Sequence, residues 1–585
     1  MFALTKSELA NNHRGRPAGV SSAGAAVRIS VRNILILLAA SILVMLPVII
    51  VGFPKGADLP NHLQFATSFY DALRAGNIHP GWLAESNFGL GDPRFVFYPP
   101  ALYYLFAGTR FLTGAWYPAF VVSFVALTFA GGLGAYWWAR TAVDQRLALG
   151  AAILFIIAPY HLNEFYQASL LAEYAACAVL PFLFAFVERI CRRQSRVDLL
   201  GLAAAYALLL LTHLPLAVIG SIAITIYALV RIERPNFWRT IARLSGAALL
   251  GLAASSYFWW PMLAELSWIK GSGHDPKPYF DYRLNFVFSP SALTNRNTWY
   301  ANVMALAVVA FFLPGLILVL RSFRKTGANR MLRATFIVLC VTFLMSTSLS
   351  RPVWAMVPKL SEVQFPWRWF AITSLMGALM VAASVPAWLD CMRARLQARH
   401  LLVISVFVLS LVFTGIEVVQ DSEYLSPSAF TALTQEAPVA VSVKDWMPIW
   451  SGDYVRAYNA RTQATDASRT VSVTAWNPEH RTFEITAGAP TELLVRTFFY
   501  PRWIASANGQ VLPVNPTPEG LLKISVPAGA TSVDLSFQKP ARVRVAELIS
   551  IAAWMLIFCG CVWTAISTVS EARPLGRASL VAGPP

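Results

Sequence analysis

Twelve predominantly apolar stretches, strung along nearly the whole chain, constrain this sequence more than anything else in it. They lie at 32–53, 115–139, 146–160, 168–188, 198–212, 215–230, 244–262, 300–320, 334–349, 367–389, 401–419 and 545–567. A bilayer crossing takes about 20 apolar residues, and several of these stretches reach that length. Composition agrees. The 585 residues are 56% hydrophobic and 13% charged, whereas soluble domains carry about 25% charged residues. The expected fold class is a mainly α polytopic membrane protein of about twelve transmembrane helices.

The net charge of +17 raises the question of nucleic acid, which its placement answers. Outside the C-terminal third, most basic residues fall in short clusters between apolar runs: Arg189/Arg192/Arg193/Arg196, Arg231/Arg234/Arg239/Arg243, Arg321/Arg324/Lys325/Arg330/Arg333 and Arg393/Arg395/Arg399. That is the positive-inside pattern of cytoplasmic loops, and no nucleic-acid partner is expected. All clusters share one side only if 97–114, which contains Arg110, does not cross. It then reads as an interfacial helix with its tyrosines at headgroup depth. The polar residues 1–31 read as a disordered cytoplasmic arm, 32–53 as a retained helix rather than a cleaved signal, and 568–585 as a cytoplasmic tail.

The six cysteines lie in apolar segments or basic loops, so no external disulfide framework and no zinc-site spacing is expected. Residues 32–419 form the membrane domain, with a first external loop at 54–114. Between 420 and 544 the character changes. Runs such as RTVSVTAW, RTFEITA, TELLVRTFF, LLKISVPA and TSVDLSFQ alternate apolar and polar residues between Asn-Pro, Asn-Gly and Pro-Ala-Gly turns. This predicts an extracytoplasmic β-rich domain, a β-sandwich or jelly-roll-like unit, before the last helix at 545–567.

Candidate chemistry collects in the external segments. Asp58, in G-A-D-L-P-N-H, follows the first span. It can serve as a base or a hard-cation ligand, or simply cap the helix beginning near Pro60. His62, four residues on, shares its face if the segment is helical, and the pair can hold a metal or pass a proton. GLGDPRFVFYPPALYY is either a pocket wall or an interfacial anchor. Glu164 and Glu173, in HLNEFYQASLLAEYAA, are carboxylates at a membrane rim, which defaults to a functional reading. Glu173 reads as the deeper, Glu164 as the more exposed. Either can face Asp58 across a cavity or be a solvated cap. His213, in LLTHLP, reads as a residue satisfying backbone carbonyls at a turn. His274, with Asp275, Lys277, Asp281 and Arg283, suits an anionic headgroup. Arg368, in QFPWRWF, suits a lipid phosphate or snorkels.

The pieces A-D-L-P-N-H-L, G-N-I-H-P-G-W, G-L-G-D-P-R-F-V-F-Y-P-P-A-L-Y-Y, T-H-L-P, Q-F-P-W-R and F-Y-P-R-W-I-A-S-A-N-G-Q-V-L-P-V resemble bacterial polytopic proteins described as YfhO-like or "6-pyruvoyl-tetrahydropterin synthase-related". That group resembles the GT-C glycosyltransferases, which carry an acid just past the first helix. The resemblance implies a GT-C-like bundle in a bacterial inner membrane, both termini cytoplasmic. Its implied partners are a polyprenyl-phosphate-linked sugar, an envelope glycan or lipid acceptor, and membrane lipid.

Carried over residue by residue, Asp58 matches the first-loop acid, Glu164 or Glu173 the second-loop acid, and Arg368 a phosphate-binding arginine by position only. A divalent metal, Mg or Mn, on Asp58 and Glu173 is implied. Asp58-Leu59 stands where many such enzymes have two adjacent acids, which favours a single base. No zinc-ligand histidine cluster of the soluble pterin synthase is present. The expected function is therefore sugar transfer on the outer membrane face, with His62, His213, His274 and Arg368 contacting substrate. The alternative is a non-catalytic transporter, flippase or assembly factor for a lipid-linked polymer. A transporter predicts paired polar residues along several mid-bundle helices.

Overall fold

A computed structural model describes residues 30–272, 280–293, 296–317, 330–394, 397–437, 443–452 and 460–571. The protein is a mostly helical membrane protein with a C-terminal β region. Among the described residues each expected apolar stretch is mainly helical, because a backbone in lipid must bond to itself. Eight helices among the described residues are long and apolar enough to cross a membrane by length and composition. A ninth crossing is a bent pair, Arg234–Ala254 and Ser256–Trp268, meeting at 71°. The other three stretches are shorter helices, Val31–Val44, Arg196–Thr212 and Arg330–Ser346, of 14, 17 and 17 residues. The count of twelve therefore depends on short helices crossing with the others.

The bend has a local cause. Ser255 Oγ donates to the Gly251 carbonyl at 2.9 Å, and paired serines are among the usual sites of sharp kinks. The break is stabilised from outside. Ser550 Oγ, on the final helix Ala541–Glu571, donates to the Ala254 carbonyl at 2.6 Å. Ser256 Oγ donates back to the Ala546 carbonyl at 2.8 Å. Gly251 is required there, since a Cβ would stand 2.8 Å from the Ala203 carbonyl oxygen.

The segment 97–114 contains a helix, Ala101–Thr113, of 13 residues. At ~1.5 Å per residue it is about 20 Å long, short of the ~30 Å hydrocarbon layer. Its tyrosines turn toward the protein. Tyr103 is fully buried, and Tyr104 donates to the Ile78 carbonyl at 2.6 Å. Phenolic groups buried in this loop find partners inside it.

The first loop and the β region are one structure. Strands β1 (Phe53–Pro54) and β2 (Tyr424–Leu425) pair antiparallel and pin the loop's start beside the end of the helix Ala398–Ile416. Nine further strands, β3 (Thr462–Ala464), β4 (Val471–Trp476), β5 (His480–Ile485), β6 (Thr491–Phe498), β7 (Trp503–Ala507), β8 (Gln510–Leu512), β9 (Val514–Pro516), β10 (Leu521–Val526) and β11 (Thr531–Phe537), build two antiparallel sheets. Their orders are β3-β6-β10-β9 and β4-β5-β11-β7-β8. Alternation along β6, β10 and β11 turns Leu493, Val495, Leu522, Ile524, Val533 and Leu535 into one apolar cluster.

Trp82 of the first loop joins that cluster, its ring 5.6 Å from Trp503 and 5.4 Å from Phe537. The Glu479 carboxylate accepts from the Gly81 and Trp82 amides at 2.9 and 3.1 Å. Arg496 Nη2 donates to the Phe88 carbonyl at 2.8 Å, where Asn87 and Phe88 hold left-handed φ of 56° and 57°. Glu265, at the end of the bent pair, completes the junction. Fully buried, it accepts from Tyr500 Oη at 2.8 Å, Arg502 Nη2 at 3.0 Å and Arg542 Nη2 at 2.9 Å.

Candidate functional site

At the bundle end that carries the β region, three charged groups from three separate segments converge. The first is Asp58, half-buried, at the N-terminus of the helix Leu59–Arg74. It occupies the cap position with αR backbone and makes no side-chain capping bond, so the capping role considered for it is absent. The Asn61 side chain lies near enough to its carboxylate to favour the ionised form. Burial raises its pKa above the ordinary carboxylate range, Glu173 pushes in the same direction, and the Arg368 guanidinium opposes both.

The second is Arg368, buried in the turn Pro366–Trp369 ahead of the helix Phe370–Ala394. Its Nε donates to Glu173 Oε2 at 2.9 Å and its Nη1 to the Val363 carbonyl at 2.6 Å. The guanidinium lies over the Phe365 ring, 5.0 Å from its centroid. Nη2 makes no hydrogen bond among the described residues.

The third is Glu173, in the first turn of the helix Leu171–Arg193. Its Oε1 accepts from Tyr160 Oη at 3.1 Å. Glu164 stands behind it, on the short helix Pro159–Tyr166. The two are equally buried, 1% exposed each, so Glu164 is not the more exposed acid. Phe155 and Tyr174 stack on His161 of that helix, with ring centroids 5.0 and 4.2 Å away.

The histidines separate. His62 lies one turn beyond Asp58 but turns inward, its Nδ1 2.8 Å from Tyr103 Oη. Burial pushes its pKa down to about 3, so the ring is neutral. His213 faces the same cluster, close enough to feel the charge of Arg368. Its Nδ1 accepts from the Leu216 amide at 3.3 Å, so it caps a helix start rather than satisfying carbonyls. His274, with Asp275 and Lys277, lies outside the described residues; Asp281 caps the short turn Tyr282–Leu284 by accepting from the Arg283 amide at 2.9 Å.

Two groups were not singled out by sequence. Tyr98 lies within the electrostatic reach of Asp58, and its ring packs against those of Tyr103 and His62, with centroids 5.8 and 6.5 Å away. Their signal was present in the aromatic run FYPPALYY, but period and composition do not say which ring turns inward. A recess lined by His79, Tyr257, Glu479, Arg502 and Lys539 lies at the junction of first loop, β region and final helix, and none of Asp58, Glu173 and Arg368 lines it.

The implied Mg or Mn ion would need hard oxygen ligands. Both oxygens of Glu173 are engaged, one by the Tyr160 hydroxyl and the other by the Arg368 guanidinium. A metal shared by Asp58 and Glu173 does not fit this arrangement. The three groups can instead supply a partly desolvated carboxylate base beside a cation with an open N–H face.

No curated protein matches the chain. Among solved structures, the arabinofuranosyltransferase AftD from Mycobacteria is 17% identical, with a TM-score of 0.41, covering 70% of this chain and 27% of that one. ArnT from Cupriavidus metallidurans, bound to undecaprenyl phosphate, is 13% identical, with a TM-score of 0.43, covering 67% of this chain and 71% of that one. The Archaeoglobus fulgidus oligosaccharyltransferase is 12% identical, with a TM-score of 0.37, covering 70% and 56%. This chain thus spans about a quarter of the length of AftD, and likenesses at these scores do not carry an assignment. The sequence family is firmer. Residues 95–422, more than half of the chain, match the family described as "6-pyruvoyl-tetrahydropterin synthase related domain; membrane protein". The helix Leu171–Arg193 and Arg368 both fall inside that match, and this polytopic chain belongs to the 6-pyruvoyl-tetrahydropterin synthase related membrane-protein family.

Proposed function

We propose that this protein is an inverting membrane glycosyltransferase that moves a sugar from a polyprenyl-phosphate donor to an envelope glycan or lipid. The membrane is a bacterial inner membrane, and the reaction takes place on the outer face, which carries the β region. One observation supports this reading above the others. Arg368 is held by Glu173 and Val363 with Nη2 open, beside a half-buried Asp58.

In this reading Asp58 takes the proton of an acceptor hydroxyl as its oxygen attacks the anomeric carbon. The bond from that carbon to the phosphate oxygen breaks, and the departing phosphate carries the electron pair. Arg368 meets the developing charge, where a preorganised cation in a dry site acts most strongly. Burial of Asp58 suits it to the role, since a carboxylate with a raised pKa is the better base near neutral pH. Glu173 positions the guanidinium without touching substrate.

A transport path is disfavoured by where the buried charges lie. On the helix Leu171–Arg193, Glu173 sits near one end and Glu188, with Arg231 on it at 2.8 Å, near the other. The separation of fifteen positions corresponds to about 22 Å of helix, and every residue from Tyr174 to Val187 is uncharged.

The test is transfer of labelled sugar from a panel of polyprenyl-phosphate sugars to membrane glycans and lipids, by purified wild type and Asp58→Asn. Turnover that disappears in an inserted, abundant variant is the expected result. Retained turnover removes Asp58 from the mechanism. Binding of lipid-linked sugar without turnover of any donor by wild type moves the assignment to transport.

A further inference from the structure

Behind Glu173, away from Asp58, a second constellation has no part in the chemistry proposed above. His161 and Glu164, on the helix Pro159–Tyr166, face Cys177, on the helix Leu171–Arg193. All three side chains are buried, at 3%, 1% and 1% exposure. Their ligating atoms, the His161 ring nitrogen, a Glu164 oxygen and Cys177 Sγ, lie within 4.8 Å of one another. Cys177 Sγ stands 3.4 Å from Glu164 Oε2, and His161 Nδ1 3.7 Å from the same oxygen.

His161 supplies an independent sign of a ligand. Its Nδ1 is buried with no hydrogen-bond partner. The ring cannot turn away to find one, because it is stacked between Phe155, at 5.0 Å and 26°, and Tyr174, at 4.2 Å and 14°. A buried ring nitrogen without a partner costs free energy that a bound ion would recover.

We propose that His161, Glu164 and Cys177 form a binding site for a borderline-soft divalent cation of the zinc type. Bond lengths of ~2.3 Å to S and ~2.0–2.1 Å to N and O in tetrahedral array place S and O about 3.5 Å apart and N and O about 3.3 Å apart; the first matches the 3.4 Å between Cys177 Sγ and Glu164 Oε2, and the 3.7 Å between His161 Nδ1 and that oxygen closes by a few tenths of an ångström on binding. A thiolate and an imidazole are donors that magnesium and manganese do not select and that zinc does. One dication on a thiolate and a carboxylate is electrically neutral, as a buried site requires. The i, i+3 spacing of His161 and Glu164 puts both on one face of a helix. Cys177 comes from the first two turns of its neighbour, so the ion ties the two helices together. Three protein ligands leave a fourth position, on the side where Glu164 faces Glu173. This places a metal one residue behind the guanidinium-holding acid and apart from Asp58, the opposite of the hard-ion site that the family resemblance implies.

The test uses tag-free full-length protein in detergent, stripped with chelator and titrated with Co²⁺ alone. One ion per chain is expected, with the visible absorption of tetrahedral cobalt and a thiolate-to-cobalt charge-transfer band. Zn²⁺ should displace it. Cys177→Ser should abolish the charge-transfer band, His161→Gln should weaken binding by more than about tenfold, and Cys391→Ser should change neither. Asp58→Asn should bind cobalt as wild type does, which separates this site from the transfer reaction. Absence of stoichiometric cobalt in wild type overturns the site whether or not the variants fold. So does a charge-transfer band that persists in Cys177→Ser, and either result leaves Glu164 and Cys177 as a buried hydrogen-bonded pair.

Discussion

Arg368→Gln separates a phosphate-binding guanidinium from a merely structural one, and the structure sets the scale of each effect. The substitution removes the 2.9 Å bond from Nε to Glu173 and the 2.6 Å bond from Nη1 to Val363. It leaves the Glu173 carboxylate buried with only the Tyr160 hydroxyl on it. Removing one partner of a buried ion pair costs about 3–5 kcal/mol, so thermal unfolding in detergent should shift by an amount in that range. On the substrate side, losing one charge-assisted hydrogen bond to the phosphate costs about 1.5–3 kcal/mol, or roughly 10–150-fold in donor affinity.

A pH profile supplies the decisive readout. Asp58 must be ionised to act as base, so activity rises as pH rises through its pKa. That pKa is raised by burial and by Glu173, and lowered by Arg368. Arg368→Gln therefore moves the acid limb to higher pH, and Glu173→Gln moves it to lower pH. Initial rates over a pH series, at saturating and limiting donor, measure both. Limbs that move in the same direction, or donor affinity unchanged in Arg368→Gln, would refute the assignment.

The remaining predictions concern the frame that holds the site. Glu265→Gln keeps the side chain's shape but removes the charge that binds Tyr500, Arg502 and Arg542. It should destabilise the junction by about 3–5 kcal/mol and speed proteolysis within the β region; an unfolding shift below ~1 kcal/mol would count against the junction's role. Gly91→Ala places a Cβ 2.3 Å from Trp82 Nε1 at φ +78°. Gly89→Ala, at φ +87°, meets nothing within 4 Å, so it carries backbone strain alone, about 1–2 kcal/mol. The difference between the two in unfolding measures the docking of Trp82, and equal losses would mean that the contact is dispensable.

The polytopic helical architecture was legible because its cause is local. Lipid offers the backbone no partners, so each crossing writes itself into the chain as a run of apolar residues. The strands were legible for a related reason: one buried face imposes a period of two on sequences such as TELLVRTFF. Part of the site was legible as well. Asp58, Glu173 and Arg368 stand out as charged residues at the ends of apolar runs, where a charge without a purpose is costly. His62 and His213 misled because residue type does not reveal direction. One turned into an aromatic loop core and the other onto a backbone amide.

By itself the sequence determined which segments are helices, where strands replace them, and which polar residues stand at the rim of the bundle. Only the tertiary structure decided that Arg368 closes on Glu173, 195 positions away in the chain, that Trp82 completes the core of a β region beginning at Thr462, and that Cys177 faces His161 and Glu164. Those pairings are long-range choices among chemically equivalent alternatives. Several arginines were available to each carboxylate, and many aromatic rings to the β core. Helix crossing, chain reversal and packing density select among them, and none of these leaves a period or a motif in the sequence.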